Sequence, residues 1–403
     1  MPLFLALLLA YTLSQFYRSF LAVVAGDLGR DLSLGPAELG DLSAAWFVAF
    51  AAAQFAVGYG LDRYGPRISL TVGLAVTVAG AAALGVAQGY AGAIAAMALI
   101  GIGCSPIYMA GMYVFGRLYR PERFALASTV LLGLGSVGNL LGARPLVWAA
   151  ATFGWRASFL AIAAVTGLVA VVVWAVVRDP PPVPAGTDDR SLLGGLKTIG
   201  SIRALWLLLP LTATSYAVVI ATRALWIGPY MGSVQQLDAN GIGDAALAMA
   251  VGMSVGALLL GPLEVRFGAR VITAAGSGIA MLGFFGLALL GPGHALAATA
   301  LLAIVGGFGT TYAILMGHAR RFMPVGLLGR GITFMNFAFI GGAGLVQWVS
   351  GRFVKAELAL GTSATAAYGQ LFAAFGAVLA VSLLIYAFAP ERPAEATRPV
   401  PGP

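Results

Sequence analysis

The sequence predicts an all-α membrane protein in which twelve transmembrane helices form two six-helix bundles related by pseudo-two-fold symmetry. Three observations support this fold class. First, 60% of the 403 residues are hydrophobic and only 9% are charged, so a water-soluble globule made from this chain would expose a largely apolar surface. Second, the apolar residues fall into runs long enough to cross a bilayer as helices. Third, motifs of the first half of the chain recur in the second half.

The apolar runs define the predicted helices in chain order, each about 18 residues or longer between polar breaks. Their spans are 3–26, 37–60, 67–88, 91–117, 124–151, 156–177, 203–231, 242–265, 270–290, 295–319, 330–353 and 366–389. The chain has a single cysteine, Cys104, which excludes a framework of intrachain disulfides.

The basic residues indicate how the helices are oriented in the membrane. An even number of helices places both termini on one side, and the loops and tails of that side carry sixteen of the 23 Lys and Arg residues. The opposite loops carry four, Arg30, Arg156, Arg352 and Lys355. Because Lys and Arg accumulate in cytoplasmic loops, we expect both termini in the cytoplasm and the protein in the plasma (inner) membrane. The net charge of +8 follows this topology and does not indicate a nucleic-acid partner.

A segment rich in proline and charge, RDPPPVPAGTDDRSLLGGLKTIGSIR, separates the first six predicted helices from the last six. Such a composition is typical of a linker. The predicted domains are an N-terminal six-helix bundle at 1–177, a cytoplasmic linker at 178–202, a C-terminal six-helix bundle at 203–390 and a cytoplasmic tail at 391–403.

The two halves share short motifs at nearly constant spacing. GYGLDRYGPR at 58–67 matches GPLEVRFGAR at 261–270 with an offset of 203 residues, and the pair Gly40 and Asp41 matches Gly243 and Asp244 at the same offset. GIGCS at 101–105 matches GFGTT at 307–311 with an offset of 206. Parallel repeats of six helices, with a binding site at their interface near the midplane of the membrane, are one known layout of secondary transporters.

Gly58, Asp62, Arg63, Gly65 and Arg67 resemble the loop 2–3 signature of the major facilitator superfamily. The weaker copy, with Glu264, Arg266 and Arg270, stands where that family repeats the signature, and GWRASF at 154–159 and Gln54 are also similar to the family. The resemblance covers essentially the whole chain. It implies two bundles that rock about a central cavity in alternating access, and it implies a gating role for these eight loop residues, with Asp62 latching the cytoplasmic side.

The chain departs from the family pattern at two positions. Val265 stands where the second copy would carry the aspartate, and Met97 stands where many members carry an arginine in helix 4. The proton-coupling role that the resemblance attaches to that arginine is therefore not transferred to this chain.

Three arginines, Arg18, Arg144 and Arg223, fall inside apolar segments, whereas all fifteen Asp and Glu residues fall in loops, tails or helix ends. A buried cation without a partner costs several kcal/mol or more. Arg18 and Arg223 precede the matched Asp41 and Asp244 by 23 and 21 residues, so they hold nearly equivalent places in helices 1 and 7. A bound anion that bridges both guanidinium groups would supply the missing charge. Organophosphate and dicarboxylate exchangers of the superfamily are similar in placing arginines on these helices.

Other interpretations of these residues stand beside the first. Each arginine could instead extend its guanidinium to the headgroups, and Arg144, with a loose counterpart in Arg352, fits a periplasmic gate or a close helix contact as well as a ligand. The further candidates for lining a substrate cavity are polar or amphipathic side chains in apolar helices, each of which packing or an interhelical hydrogen bond would also explain. They are Tyr17, Gln54, Tyr108, Asn139, Tyr216, Tyr312, Asn336 and Gln347.

These features favour a secondary transporter for a small organic anion of the carboxylate type. Because no membrane-embedded carboxylate is available to carry a proton, anion exchange or cotransport of a proton with the substrate is expected. The alternatives are a proton antiporter that exports multiple drugs or hydrophobic compounds, and a non-transporting membrane scaffold or receptor. An enzyme is not expected, because two histidines and one cysteine offer no catalytic or metal cluster. We expect no cofactor or metal, a monomer, and as partners only the anionic substrate and the lipid bilayer.

Overall fold

The structure is a computed structural model that describes residues 2–118, 127, 130–131, 133–179, 199–323 and 328–391. All regular secondary structure in these residues is helical. Much of the predicted linker at 178–202, nearly all of the predicted tail at 391–403 and the beginning of the predicted fifth helix lie outside the described residues. The predicted domain boundaries stay predictions.

The helices of the described residues follow the predicted apolar runs, several of which are divided into two elements. In chain order they are α1 (Pro2–Ser19), α2 (Leu21–Leu32), α3 (Pro36–Val86), α4 (Tyr90–Leu118), α5 (Val137–Leu141), α6 (Arg144–Phe153), α7 (Trp155–Val176), α8 (Arg203–Ala221), a π-helical turn (Thr222–Trp226), α9 (Ile227–Ser233), α10 (Ala239–Phe267), α11 (Ala269–Leu289), α12 (Ala295–Gly309), α13 (Tyr312–Arg320), α14 (Leu328–Ala359) and α15 (Ala364–Tyr386).

Within the described residues, nine helical spans are long and apolar enough to cross a membrane, and the bent pair α1 and α2 makes a tenth. The chain is therefore an integral membrane protein with an all-helical fold. The predicted first helix is bent rather than continuous, because α1 and α2 meet at Phe20 with an angle of 51° and α2 continues to Leu32. The predicted seventh helix is also interrupted, by the π-helical turn Thr222–Trp226. Such breaks release backbone carbonyl groups from the regular hydrogen-bonding pattern.

Gly65 marks the turn inside α3, where the predicted second and third helices meet. Its backbone has φ +80 and ψ 168, a region that residues with a side chain rarely adopt, and the chain is helical on both sides of it. Gly268, the matching residue of the repeat, separates α10 from α11 with φ +87. The repeated glycine therefore makes the same turn in both halves, which agrees with the pseudo-two-fold symmetry expected from the motifs.

The arginine that follows each turn fastens the helical hairpin to the last helix of the same half. Arg67 Nε donates to the carbonyl of Trp174 at 2.8 Å, and its guanidinium lies 4.0 Å from the centre of the Trp174 ring. In the second half, Arg270 donates to the carbonyl of Ala387. The Asp179 carboxylate also accepts the backbone N–H of Arg67 at 2.8 Å, which satisfies a free N–H at the start of the second part of α3.

Replacing Gly65 with alanine should destabilise this turn. A Cβ at this position would collide with the Asp179 carboxylate and would also meet an unfavourable backbone conformation, so we expect a loss of about 1–3 kcal/mol in folding free energy. The measurement is the midpoint of thermal unfolding of the purified protein. Gly261→Ala is the matched control, because Gly261 is helical and has open space around it, and it should be neutral or slightly stabilising. Equal midpoints for the two variants would contradict this account.

Candidate functional site

Arg18 lies near the end of α1 and has no acidic partner among the described residues. Its Nη1 donates to the hydroxyl of Tyr216 on α8 at 3.3 Å, and its guanidinium carbon lies 5.5 Å from the ring centres of both Trp46 and Phe50. The Nε of Arg18 is buried without a hydrogen-bond partner in the described part of the chain. Neutral hydroxyl and aromatic groups therefore surround a charge that none of them neutralises.

Aromatic side chains from both halves surround Arg18. Tyr11 and Tyr312 each lie close enough to Arg18 to interact with its charge. Both also interact electrostatically with the hydroxyl groups of Tyr108 and Tyr216. The Tyr11 and Tyr108 rings are 5.7 Å apart, and the Tyr216 and Tyr312 rings contact Phe339 at 4.3 and 3.4 Å between centroids. We call Arg18 together with these aromatic residues the Arg18 site; its members are Tyr11, Arg18, Trp46, Phe50, Tyr108, Tyr216, Tyr312 and Phe339. Six helices from the two halves supply it: α1, α3 and α4 from the first, and α8, α13 and α14 from the second.

Arg223 has a different environment, although its place in the repeat matches that of Arg18. It lies in the π-helical turn, is fully buried, and donates to the carbonyl of Asn139 at 2.8 Å and to the carbonyl of Ser19 at 3.5 Å. Ser19 is the last residue of α1, and Asn139 lies in the last turn of α5. Helix C-termini carry partial negative charge on such carbonyls, so two broken helices partly compensate this cation.

The structure brings some of the predicted lining residues to Arg18 and places the others elsewhere. Tyr108, Tyr216 and Tyr312 belong to the Arg18 site, and Asn336 accepts the Tyr312 hydroxyl at 2.8 Å. Tyr17 is buried inside the first half, where its hydroxyl lies 2.9 Å from that of Thr166.

The other three predicted amides have different surroundings. Gln54 Nε2 donates to the carbonyl of Ser105 at 3.5 Å, and its Oε1 is buried without a partner among the described residues. Asn139 supplies the carbonyl that binds Arg223. Gln347 is fully buried, and its Oε1 accepts the hydroxyl of Ser43 across the interface between α14 and α3.

Arg144 forms an ion pair with Asp244, so the expectation of an unpaired intramembrane arginine is wrong for this residue. Asp244 lies near the start of α10 and faces α6 across the boundary between the halves. Both side chains are about half exposed, and the Asp244 carboxylate balances the charge of the Arg144 guanidinium. The gate interpretation of Arg144 stays a prediction.

The counterpart of this ion pair joins the other two helices at the boundary. Arg352 on α14 pairs with Asp41 on α3 at 2.6 Å, and Lys355 pairs with Glu38 one turn further along at 3.0 Å. Asp41 and Asp244 are equivalent positions in the sequence repeat. Each half therefore supplies one of these acids to an arginine of the other half. These contacts lie at the end of the molecule that carries the turns 33–35 and 234–238, which we call the closed end.

Glycines allow the helices to approach closely at the closed end. A methyl group on Gly40 of α3 would lie 3.0 Å from the Cα of Gly351 on α14, and one on Gly243 of α10 would lie 3.3 Å from the Cα of Arg144. Gly228 of α9 packs directly against the carbonyl of Ala22 on α2. Small residues at such crossings bring helix backbones into contact within a membrane, so the two halves meet tightly here.

Removing both matched ion pairs should open the closed end. Each pair is substantially exposed and contributes about 0.2–1 kcal/mol, so Arg144→Ala combined with Arg352→Ala should raise the open population by up to about 30-fold. The measurement is the rate at which a thiol reagent labels Ser43→Cys, which is buried between the halves, in a Cys104→Ala background. Arg30→Ala is the control, because its pair with Asp27 lies within one helix and should leave the rate unchanged. A double variant that labels at the control rate would exclude a gating role.

The remaining residues of the predicted gate lie around the two glycine turns. Gly58 lies within α3, and the Asp62 side chain lies outside the described residues, so its latch role stays a prediction. Arg63 stacks over Tyr64 at 5.8 Å, and Arg266 over Phe267 at 5.3 Å. Glu264 is half-buried and interacts electrostatically with Arg321, and its gating role stays a prediction.

Sequence reasoning missed four members of the Arg18 site: Tyr11, Trp46, Phe50 and Phe339. Tyr11 precedes Arg18 by seven residues, two helical turns, and therefore shares its face of α1. Trp46 and Phe50 are also one turn apart, on a helix whose register relative to α1 the sequence does not specify. A search for aromatic residues spaced by four or seven would have included three of these positions, together with many packing residues.

The two repeated helical halves, the polar site supplied by both of them and the ion pairs that close one end define a secondary transporter that works between two bundles. A sequence profile described as Major Facilitator Superfamily matches residues 7–347. The chain belongs to this superfamily.

Similar proteins include transporters with different named substrates. The chain is 27% identical to the hexuronate transporter of Bacillus subtilis (strain 168) over 178 residues, which are 43% of this chain and 41% of that protein. It is 24% identical to the fosmidomycin resistance protein of Escherichia coli (strain K12) over 84% of this chain and 83% of that protein. The chain therefore matches about two fifths of the hexuronate transporter's length and most of the resistance protein's length.

Solved structures show the same fold. A D-xylose-proton symporter superposes with a TM-score of 0.81 at 14% identity, over 97% of this chain and 98% of that chain. A bacterial homologue of the human lysosomal transporter Spinster superposes with a TM-score of 0.75 at 18% identity, over 99% and 98%. These likenesses confirm the twelve-helix fold of the superfamily.

Proposed function

We propose that the protein carries a small organic anion of the carboxylate type across the membrane by alternating access. One observation supports this most directly. Arg18 is a charged side chain between the two halves, and among the described residues its only hydrogen-bond partner is a neutral tyrosine. A cation in such surroundings is strongly disfavoured unless an anion joins it, and a bound carboxylate would supply that anion.

The contacts of Arg223 change how many arginines the anion engages. The Nη atoms of Arg223 are held by the carbonyls of Ser19 and Asn139, and its side chain is fully buried. Arg18 is therefore the proposed ligand, and Arg223 supports the site from behind by holding the end of α1 in place. The bridge between two arginines that the repeat suggested is replaced by a single charged anchor.

Membrane orientation follows from the basic residues. Sixteen of the 23 Lys and Arg residues belong to the side of the termini, so we place both termini in the cytoplasm and the closed end toward the periplasm of an inner membrane. In this orientation the two halves contact each other on the periplasmic side in the described conformation. Anion exchange or cotransport of a proton with the substrate remains the proposed coupling, since Arg18 has no acidic neighbour in the described residues to carry a proton.

A ligand screen with the purified protein tests this function. Monocarboxylates, dicarboxylates, phosphate esters and lipophilic cations would be compared by the thermal shift that each produces, followed by uptake into proteoliposomes. Stabilisation and uptake of carboxylates would support the proposal. Stabilisation by cations alone would exclude it.

A second candidate function is multidrug export, or export of hydrophobic compounds, by proton antiport. The match to the fosmidomycin resistance protein covers more of this chain than the match to the hexuronate transporter, which favours this candidate. The aromatic walls of the Arg18 site would also suit an apolar compound. The unneutralised charge of Arg18 argues against a cationic cargo, because like charges would meet in a site of low dielectric constant.

A further inference from the structure

The number of available charges at the Arg18 site bears on the charge of its ligand. Arg144 is paired with Asp244 at the closed end, and both Nη atoms of Arg223 bind carbonyls. Arg18 is the one guanidinium in the described part of the site that has neither an acid nor a carbonyl on it. Among the described residues, a second carboxylate on the same ligand would find no second guanidinium without an acid or a carbonyl on its Nη atoms, and it would be buried without a partner at high cost. The site therefore suits a monoanion.

Two hydrogen-bond donors at the site lack acceptors. The Nε of Arg18 and the indole Nε1 of Trp46 are both buried and both without a partner among the described residues. The Arg18 guanidinium carbon lies 5.5 Å from the centre of the Trp46 ring, and Trp46 is only 1% exposed. An unsatisfied buried donor costs about 1–3 kcal/mol, so the native site retains two such costs that an acceptor would remove. The two oxygens of one carboxylate match two donors.

The walls of the site are flat and mostly apolar. Tyr216 and Tyr312 both contact Phe339, and Tyr108, which is 36% exposed, lies beside Tyr11. Aromatic faces from both halves would gain offset-stacked or edge-to-face contact with a planar ring. An aliphatic ligand of the same size would gain buried apolar area but no stacked or edge-to-face ring contact.

We propose that the ligand is an aromatic monocarboxylate, held by Arg18 and the Trp46 indole N–H with its ring packed against the aromatic side chains of the Arg18 site. This proposal rests on the proposed function and names the substrate class for the same site. The competing class is a hydroxylated acid, whose hydroxyl groups would find the amide oxygens of Gln15 and Gln54, which are also buried and unpartnered in the described residues. The aromatic class is favoured because the charged anchor lies against Trp46 and Phe50.

Calorimetric titration of the purified full-length protein separates these classes. The probes are benzoate, benzamide, cyclohexanecarboxylate, terephthalate and D-glucuronate. We expect benzoate to bind at least about 10-fold more tightly than benzamide, which lacks the charge, and than terephthalate, which carries a second one. Benzoate should also exceed cyclohexanecarboxylate by about 3- to 10-fold, because stacked aromatic pairs add about 0.5–1.5 kcal/mol beyond their buried area.

Trp46→Phe tests the indole donor, since it keeps an aromatic ring and removes the N–H. A hydrogen bond to a charged group contributes about 1.5–3 kcal/mol, so this variant should bind benzoate about 10- to 100-fold more weakly. The smaller ring leaves a cavity at this fully buried position, so the thermal midpoint without ligand should fall slightly, and benzoate affinity is measured on the folded protein. Unchanged benzoate affinity would overturn the role of Trp46.

The outcomes also distinguish this inference from the proposed function. If D-glucuronate or terephthalate binds more tightly than benzoate and Arg18→Ala abolishes that binding, the anion transporter stands and the aromatic monocarboxylate is overturned. If no carboxylate binds, both proposals are overturned.

Discussion

Substituting Arg18 with alanine is expected to lower carboxylate affinity and uptake at subsaturating substrate by about 10- to 100-fold. The variant removes the charged anchor of the site, and charge-assisted hydrogen bonds to a carboxylate contribute about 1.5–3 kcal/mol. Arg18→Lys should recover only part of the loss, because an ammonium group keeps the charge but not the planar pair of donors. The measurements are calorimetric affinity and initial uptake into proteoliposomes.

The control for Arg18 is Arg30→Ala, which removes an exposed arginine that pairs with Asp27 on its own helix and should leave uptake unchanged. Folding of the Arg18→Ala protein should be preserved or improved, since the change removes a partly buried charge with no acidic partner in the described residues. Uptake by Arg18→Ala at the normal rate would mean that the guanidinium reaches toward the headgroups and binds no substrate.

Substituting Arg223 with alanine is expected to reduce stability more than any other single change at the centre of the molecule. The carbonyls of Ser19 and Asn139 would lose their donor, at about 1–3 kcal/mol each, and the removed side chain would leave a cavity. Relief of the desolvated charge offsets part of this cost. We expect a net loss of about 2–4 kcal/mol, seen as a fall of about 5 °C or more in the thermal midpoint.

The comparison between the two arginines makes the assignment of roles testable. Arg223→Lys retains a donor for the two carbonyls and should restore most of the stability and transport, whereas Arg18→Lys should stay impaired. A stable Arg223→Ala protein that fails to bind carboxylates would reverse these roles, because it would show that Arg223 holds the substrate.

The prediction of the fold depended on properties that are local in sequence. Apolar runs report helices because each spanning segment must satisfy its own backbone in lipid, and the distribution of Lys and Arg reports orientation. The sequence repeat also corresponds to a structural repeat, since Gly65 and Gly268 make the same turn at equivalent places in the two halves. Breaks inside the helices were missed, at Phe20 and at Thr222–Trp226, because no proline marks them in the sequence.

The candidate site could be predicted only in part. Arg18, Arg144 and Arg223 stand out in the sequence because each is a cation in an apolar run, but the pattern is the same for all three. Their environments differ through partners that are far away along the chain: Tyr216 for Arg18, Asp244 for Arg144, and the carbonyls of Ser19 and Asn139 for Arg223.

The sequence by itself determined that this chain is a twelve-helix membrane protein with two repeated halves and three cations in its apolar segments. Only the tertiary structure decided that Arg144 pairs with Asp244, that Arg223 binds carbonyls at the ends of two helices, and that Arg18 has no acidic partner among the described residues. The physical reason is that burying a guanidinium demands a partner, and which partner is available depends on helix crossings and helix breaks rather than on the residues beside it in the chain.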